Sequence, residues 1–190
     1  MPRHRTGTAN TGQRFPGSKI SPLQQHMAKS AHSSETPATQ WLRQHGVAFT
    51  TATYDYIDHG GSGEAARQLG ADEHQVIKTL VMQDEKEHPL IILMHGNMQV
   101  STKNLARQIQ AKSVTPCKPD IAQRHSGYMV GGTSPFGTRK NMPVYVEQSI
   151  LDLPEIFING GKRGFLLKIS PQALTSPLGA QPVQCALENG

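Results

Sequence analysis

Val76–Ile77–Lys78–Thr79–Leu80–Val81–Met82 is an apolar, β-branched run with one cation near its centre. Such a run suits a strand covered on both faces. A lysine placed there must reach a surface, pair with a charge or lose basicity. Asp84–Glu85–Lys86–Glu87 then supply a charged turn, and Leu90–Ile91–Ile92–Leu93–Met94 a second apolar run. Two such runs about a polar turn predict a hairpin. On spacing alone, Lys78 either snorkels from a strand edge or sits at a site.

The segments around this hairpin are short. Thr36–Pro37 reads as a hydroxyl cap followed by proline at the first helical position, and His45–Gly46 as the stop. Val47 to Tyr54 alternates and predicts a strand; Asp58–His59–Gly60–Gly61 is a turn; Ser62 is expected to cap a helix ending at Gly70. Ser101–Thr102 and Pro119 open two further helices. Ser113–Val114–Thr115, Val144–Tyr145–Val146, Ile156–Phe157–Ile158 and Phe165 to Ile169 are strand-like, and Ser170–Pro171 starts a last helix. Short strands interleaved with short helices predict an α/β or α+β domain over residues 36–188. Its sheet is expected to be curled, mixed and largely antiparallel, barrel-like, with short helices around it.

Charge is distributed unevenly along the 190 residues. Arg3, Arg5, Arg14, Lys19 and Lys29 lie within the first 30 positions, where there is no acid. The remaining 160 residues carry 14 basic and 14 acidic side chains, so the formal +5 belongs to the N-terminal stretch. The body is therefore not a globally basic nucleic-acid binder, and an RNA contact there needs a local patch. Residues 1–35 hold few large apolar side chains and are expected to form a disordered basic tail, with Met27 as an alternative start. Cys117 and Cys185 are far apart and form no CxxC, which argues against a zinc site or a disulfide scaffold. No run reaches the roughly 18 apolar residues of a membrane span. The expectation is a cytoplasmic protein without metal, cofactor or membrane contact.

Two glycine-rich loops are candidates for chemistry. Paired glycines in Gly131–Gly132–Thr133–Ser134–Pro135 let a ligand approach the main chain closely, and such a turn can present amides to a carbonyl or oxyanion. Asn159–Gly160–Gly161–Lys162–Arg163–Gly164 is a hairpin with two adjacent cations, either a solvated turn or a grip on an RNA backbone. Neither is a Walker A motif or a dinucleotide fingerprint. The histidines show no metal spacing, and no serine lies in a GxSxG elbow.

The segments IKTLV, GYMVGGTSPFG and FINGGKRGF, in this order and at these separations, resemble the YbaK family, freestanding relatives of the editing domain inserted in bacterial prolyl-tRNA synthetases. The likeness runs from about Thr36 to about Leu187. It implies the YbaK editing-domain fold and hydrolysis of the ester linking a wrong amino acid to tRNA. Such editing has a physical motive, because a methylene-scale difference gives a synthetase pocket only about 1–3 kcal/mol of discrimination. The resemblance makes Lys78 the essential lysine, with Thr79 beside it. It makes the backbone of Gly131, Gly132, Thr133 and Ser134 the group that fixes the aminoacyl carbonyl, with Pro135 closing the loop. Tyr54, Asn159, Gly160 and Gly161 become substrate contacts, and Lys162 and Arg163 RNA contacts. The implied partners are an aminoacyl-tRNA, tRNA(Pro) first, and a prolyl-tRNA synthetase.

In the cysteine-specific branch the substrate thiol serves as nucleophile, which fits the lack of a protein nucleophile. This chain departs from that branch twice. Asn159 stands where the pattern has serine, and Leu166 where it has aspartate. Asparagine can still donate and accept hydrogen bonds, whereas leucine cannot replace a carboxylate. The two departures leave the amino acid open, and what the resemblance implies is a trans-editing deacylase with cysteinyl-tRNA(Pro) as the first expected substrate and cysteinyl-tRNA(Cys) as a second. The alternatives are a deacylase for another small amino acid, or a tRNA- or synthetase-binding module without hydrolysis.

Overall fold

The structure, a computed structural model, describes residues 35–188. The expected basic tail and the alternative start at Met27 lie outside these residues, Glu35 excepted.

Helix α1 (Pro37–Gln44) begins as its sequence demands. The Thr36 hydroxyl accepts from the Thr39 amide at 3.1 Å, and Thr39 returns the bond to the Thr36 amide at 2.9 Å. Strand β1 (Thr50–Thr53) is shorter than the alternating Val47–Tyr54 stretch suggests. Helix α2 (Gly61–Leu69) stops at Gly70 in the left-handed conformation. Its cap position is Gly60, not Ser62; the Ser62 hydroxyl instead has two acceptors in reach for its one proton, Glu73 at 2.8 Å and the Gly96 carbonyl at 3.1 Å.

A short 3-10 turn (Glu73–Gln75) then feeds β2 (Val76–Asp84), which turns into β3 (Pro89–His95) in the expected hairpin. All of β3 is buried, Ile91 and Leu93 on one face and Leu90, Ile92 and Met94 on the other. The apolar run therefore has a physical cause: both faces are covered. Short β4 (Met98–Val100), α3 (Thr102–Gln108, capped by Ser101), β5 (Val114–Pro116) and α4 (Pro119–Ser126) follow. Strands β6 (Val144–Glu147), β7 (Ile156–Lys162) and β8 (Phe165–Ile169), helix α5 (Gln172–Thr175), and strands β9 (Gln181–Val183) and β10 (Ala186–Glu188) complete the order.

The main sheet runs β1-β8-β7-β2-β3-β6-β9, with β5 added beside the end of β2, while β10 and β4 form a separate pair. Its ladders are mixed, antiparallel at β1–β8, β7–β8, β2–β3 and β2–β5, and parallel at β2–β7, β3–β6 and β6–β9. The barrel-like expectation needs correction: the sheet is open, because its end strands β1 and β9 pair with different neighbours and not with each other. The larger core cluster joins Ile77, Val81, Ile91 and Leu93 to Phe136, Ile158 and Leu167; the second packs Met82, Ile92 and Met94 against Leu105 of α3. Among the described residues, no helix is long and apolar enough to cross a membrane.

Candidate active site

Strands β2 and β7 run side by side only at Val76 and Ile77, and β5 joins β2 only from Met82. The sheet forks between these points. A cleft of about 690 Å³ occupies the fork, walled by Val76 to Met82, by Asn159 and Leu166 on one branch, and by Pro116 and Cys117 on the other. Lys78, Thr79, Tyr54, Gly131, Thr133, Asn159 and Arg163 all line it, so the lysine and the first glycine loop share one cavity.

Lys78 is half-buried, and its ammonium donates to the main-chain carbonyl of Met98 in β4. Burial lowers its pKa from the ordinary lysine value, and Glu73 opposes that shift. The loop opposite is built as a tight turn. Gly131 has φ +89°, and the Gly132 amide donates to Met129 O at 2.8 Å. Arg163 Nε donates to the Val130 carbonyl and Asn159 Nδ2 to the Gly131 carbonyl, both at 2.9 Å. The planar trans peptide turns the Gly131 N–H away from the Val130 carbonyl, and hence away from Arg163. Among the described residues, the amides of Gly131 and Thr133 meet no acceptor. Asn159 also accepts the Gly161 amide at 2.9 Å, so one side chain bridges β7 and the loop.

Other expected site residues do not line the cleft. Gly132 packs on the Lys162–Arg163 main chain, where a Cβ would sit 2.9 Å from the Arg163 nitrogen. Ser134 is fully buried and accepts from Phe136 N at 3.4 Å, and Pro135 is buried beside it. The Gly160 carbonyl accepts the Thr36 hydroxyl at 2.6 Å, and Gly161 lies against Tyr128. Lys162 is exposed at the end of β7.

Sequence reasoning passed over three features. The Tyr56 ring lies under the Arg163 guanidinium, 4.9 Å to the ring centroid, and against Gly131. The alternation from Tyr54 to Tyr56 is the signal that could have found it. Ile57, Met129 and Val130 are exposed apolar residues, and Ile57 and Val130 line the cleft. Cys117 also lines it; burial raises its pKa, which keeps it a thiol and a poor nucleophile. Among the described residues, no cluster of three or more His, Cys, Asp or Glu could hold a metal ion.

A protein of Enterococcus faecalis whose name proposes it as a Cys-tRNA(Pro)/Cys-tRNA(Cys) deacylase, EbsC, is 29% identical over 151 residues, 79% of this chain and 92% of that one. A proline–tRNA ligase of Streptococcus thermophilus is 26% identical over 144 residues, 75% of this chain but 22% of the ligase. A crystal structure described as a candidate trans-editing enzyme for prolyl tRNA synthetase superposes with a TM-score of 0.71 at 22% identity, covering 90% of this chain and all of that one. Residues 61–176, which contain Lys78, the fork and both glycine loops, match the aminoacyl-tRNA editing domain, and the chain belongs to that family.

Proposed function

We propose that this protein hydrolyses the ester joining a wrongly attached amino acid to tRNA, with cysteinyl-tRNA(Pro) as its first substrate. The observation that carries the reading is the shared cleft: a half-buried lysine and two loop residues, Gly131 and Thr133, whose amides meet no acceptor among the described residues, line the same fork. Ester hydrolysis builds negative charge on the carbonyl oxygen, and fixed donors in a partly dry cavity stabilise that charge. The Gly131 and Thr133 amides take this role. Lys78 anchors the 3′-terminal nucleotide and stabilises charge as the ester breaks. A cysteinyl substrate supplies its own thiol as nucleophile: a C–S bond forms as the ester C–O bond breaks, the thiol proton leaves with the tRNA 3′ oxygen, and water then opens the cyclic thioester to free cysteine. This suits a cleft whose one cysteine is held as a thiol. The Enterococcus faecalis relative's name and the prolyl-tRNA ligase match support tRNA(Pro) as the carrier and a prolyl-tRNA synthetase as the partner.

Leu166 favours a second substrate. It is 4% exposed, and its place in the wall makes that part of the pocket apolar. An apolar wall suits a small apolar amino acid such as alanine. A panel of tRNA(Pro) charged with different small amino acids separates the two readings. In the same assay, Lys78→Ala should lose at least ten-fold in turnover, since a positioned donor at the reacting centre contributes about 2.7–4 kcal/mol. Unchanged turnover in that variant rejects the role of Lys78; no turnover of any member by the wild type leaves a binding module.

A further inference from the structure

The middle of β2 has an open edge. β7 covers Val76 and Ile77, β5 covers Met82 to Asp84, and β3 lines the other side throughout. Among the described residues, no strand pairs with Lys78 to Val81 on the fork side. Strand alternation decides which main-chain groups face the gap. The Val81 carbonyl faces it and is taken by the Cys117 amide at 3.1 Å. Ile91, opposite Val81, sends its amide to Pro143 on the far side, so this pair is not joined by ladder bonds. Thr79 is two residues away and faces the same way. Among the described residues, nothing across the gap bonds its amide or carbonyl. Its hydroxyl is buried and also without a partner.

We infer that the Thr79 main-chain carbonyl binds the α-ammonium group of the aminoacyl ester. This rests on the deacylase reading and names what that site recognises. An aminoacyl ester carries its nitrogen, α-carbon and carbonyl in the order of a strand residue, so it can sit against β2 as a strand one residue long. A peptide would need a second acceptor along the edge. Ile77 is committed to β7 and the Val81 carbonyl to Cys117, so the open length matches a single residue. An ammonium donor makes the bond charge-assisted, and it satisfies a carbonyl that is costly to leave unpaired in a partly dry cleft. The strand edge thus reads what every amino acid shares, and the choice of side chain falls to the rest of the wall, including Leu166.

The test uses the full chain and adenosine carrying a non-hydrolysable 3′-amide of cysteine, of its α-hydroxy analogue or of its deamino analogue, 3-mercaptopropionate. Calorimetric titration should show the deamino probe binding at least ten-fold more weakly than the cysteinyl probe, with the hydroxy probe between them. Equal affinity for cysteinyl and deamino probes overturns the inference and leaves the deacylase reading standing. Failure of all three to bind overturns both. Thr79→Val keeps the main chain and should keep the affinity ratio. Collapse of the ratio in that variant assigns the amine to the hydroxyl and overturns the inference.

Discussion

Lys162 and Arg163 are neighbours of like charge, yet they are held differently. Lys162 is exposed at the end of β7, whereas Arg163 bonds the Val130 carbonyl and covers the Tyr56 ring. Removing Lys162 removes a cation from the surface. Removing Arg163 also frees the peptide that aims the Gly131 amide. We expect Lys162→Ala to weaken tRNA binding and flatten its salt dependence without altering turnover of bound substrate. Arg163→Ala should lower kcat as well, and Arg163→Lys should restore the salt slope but not kcat, because an ammonium does not reproduce a planar guanidinium held by both a carbonyl and a ring. Single-turnover deacylation at several salt concentrations separates these effects. Equal kcat in both alanine variants would reduce Arg163 to a surface charge.

At the level of elements, the irregular part of β7 sets the site. The β7–β8 register shifts between Asn159 and Lys162, and this irregularity turns Asn159 toward the Gly131 loop. Gly160 sits inside it because a Cβ there would lie 2.5 Å from the Phe165 ring. Gly160→Ala must therefore push Phe165 or the strand aside, and we expect a stability loss of about 1–3 kcal/mol, read from urea unfolding. A variant as stable as wild type would show that the close approach is not needed. The glycine-rich character of this stretch was legible in the sequence, as were the β2–β3 hairpin, the Thr36 cap of α1 and the Gly70 stop of α2. Each depends on contacts within a few residues. The fork was not legible, because it arises where β7 leaves β2 and β5 arrives, and those pairings join segments from about 30 to 80 residues apart in the chain. The same limit hid β4, β9 and β10, which are three residues each and take their order from the strands they meet. It also explains the barrel expectation: local alternation says that strands exist, not whether the last one reaches the first.

Across the whole molecule, His95 joins segments distant in sequence. It ends β3, is fully buried, and stacks on His74 with ring centroids 3.6 Å apart. Nδ1 lies 2.6 Å from the His74 carbonyl, so it must carry the proton; Nε2 then accepts from the Ser149 hydroxyl at 2.7 Å. The neutral ring thus connects the entry to β2, the end of β3 and the turn before β7. Burial is the largest influence on its pKa and lowers it from 6.5; His74 adds to the lowering, while the hydrogen bond to the His74 carbonyl and the charges of Glu147 and Asp72 oppose it. A base whose folded pKa lies below its unfolded value binds more protons when unfolded. Its contribution is therefore intact above pH 6.5 and is lost as pH falls from 6.5 toward the folded value. The carboxylates lowered in the fold, Asp84 and Glu85 among them, act in a separate window at and below about pH 4. His125 is shifted downward like His95, so replacing His95 should remove part of the slope and not all of it. We expect the melting temperature to fall between pH 7 and pH 5, and His95→Gln, less stable at pH 7, to fall less steeply over that range. An imidazole titration by NMR should place His95 below 6.5. A His95→Gln protein with the wild-type slope would mean that this ring does not carry the pH response, and that the three segments are held together by packing alone.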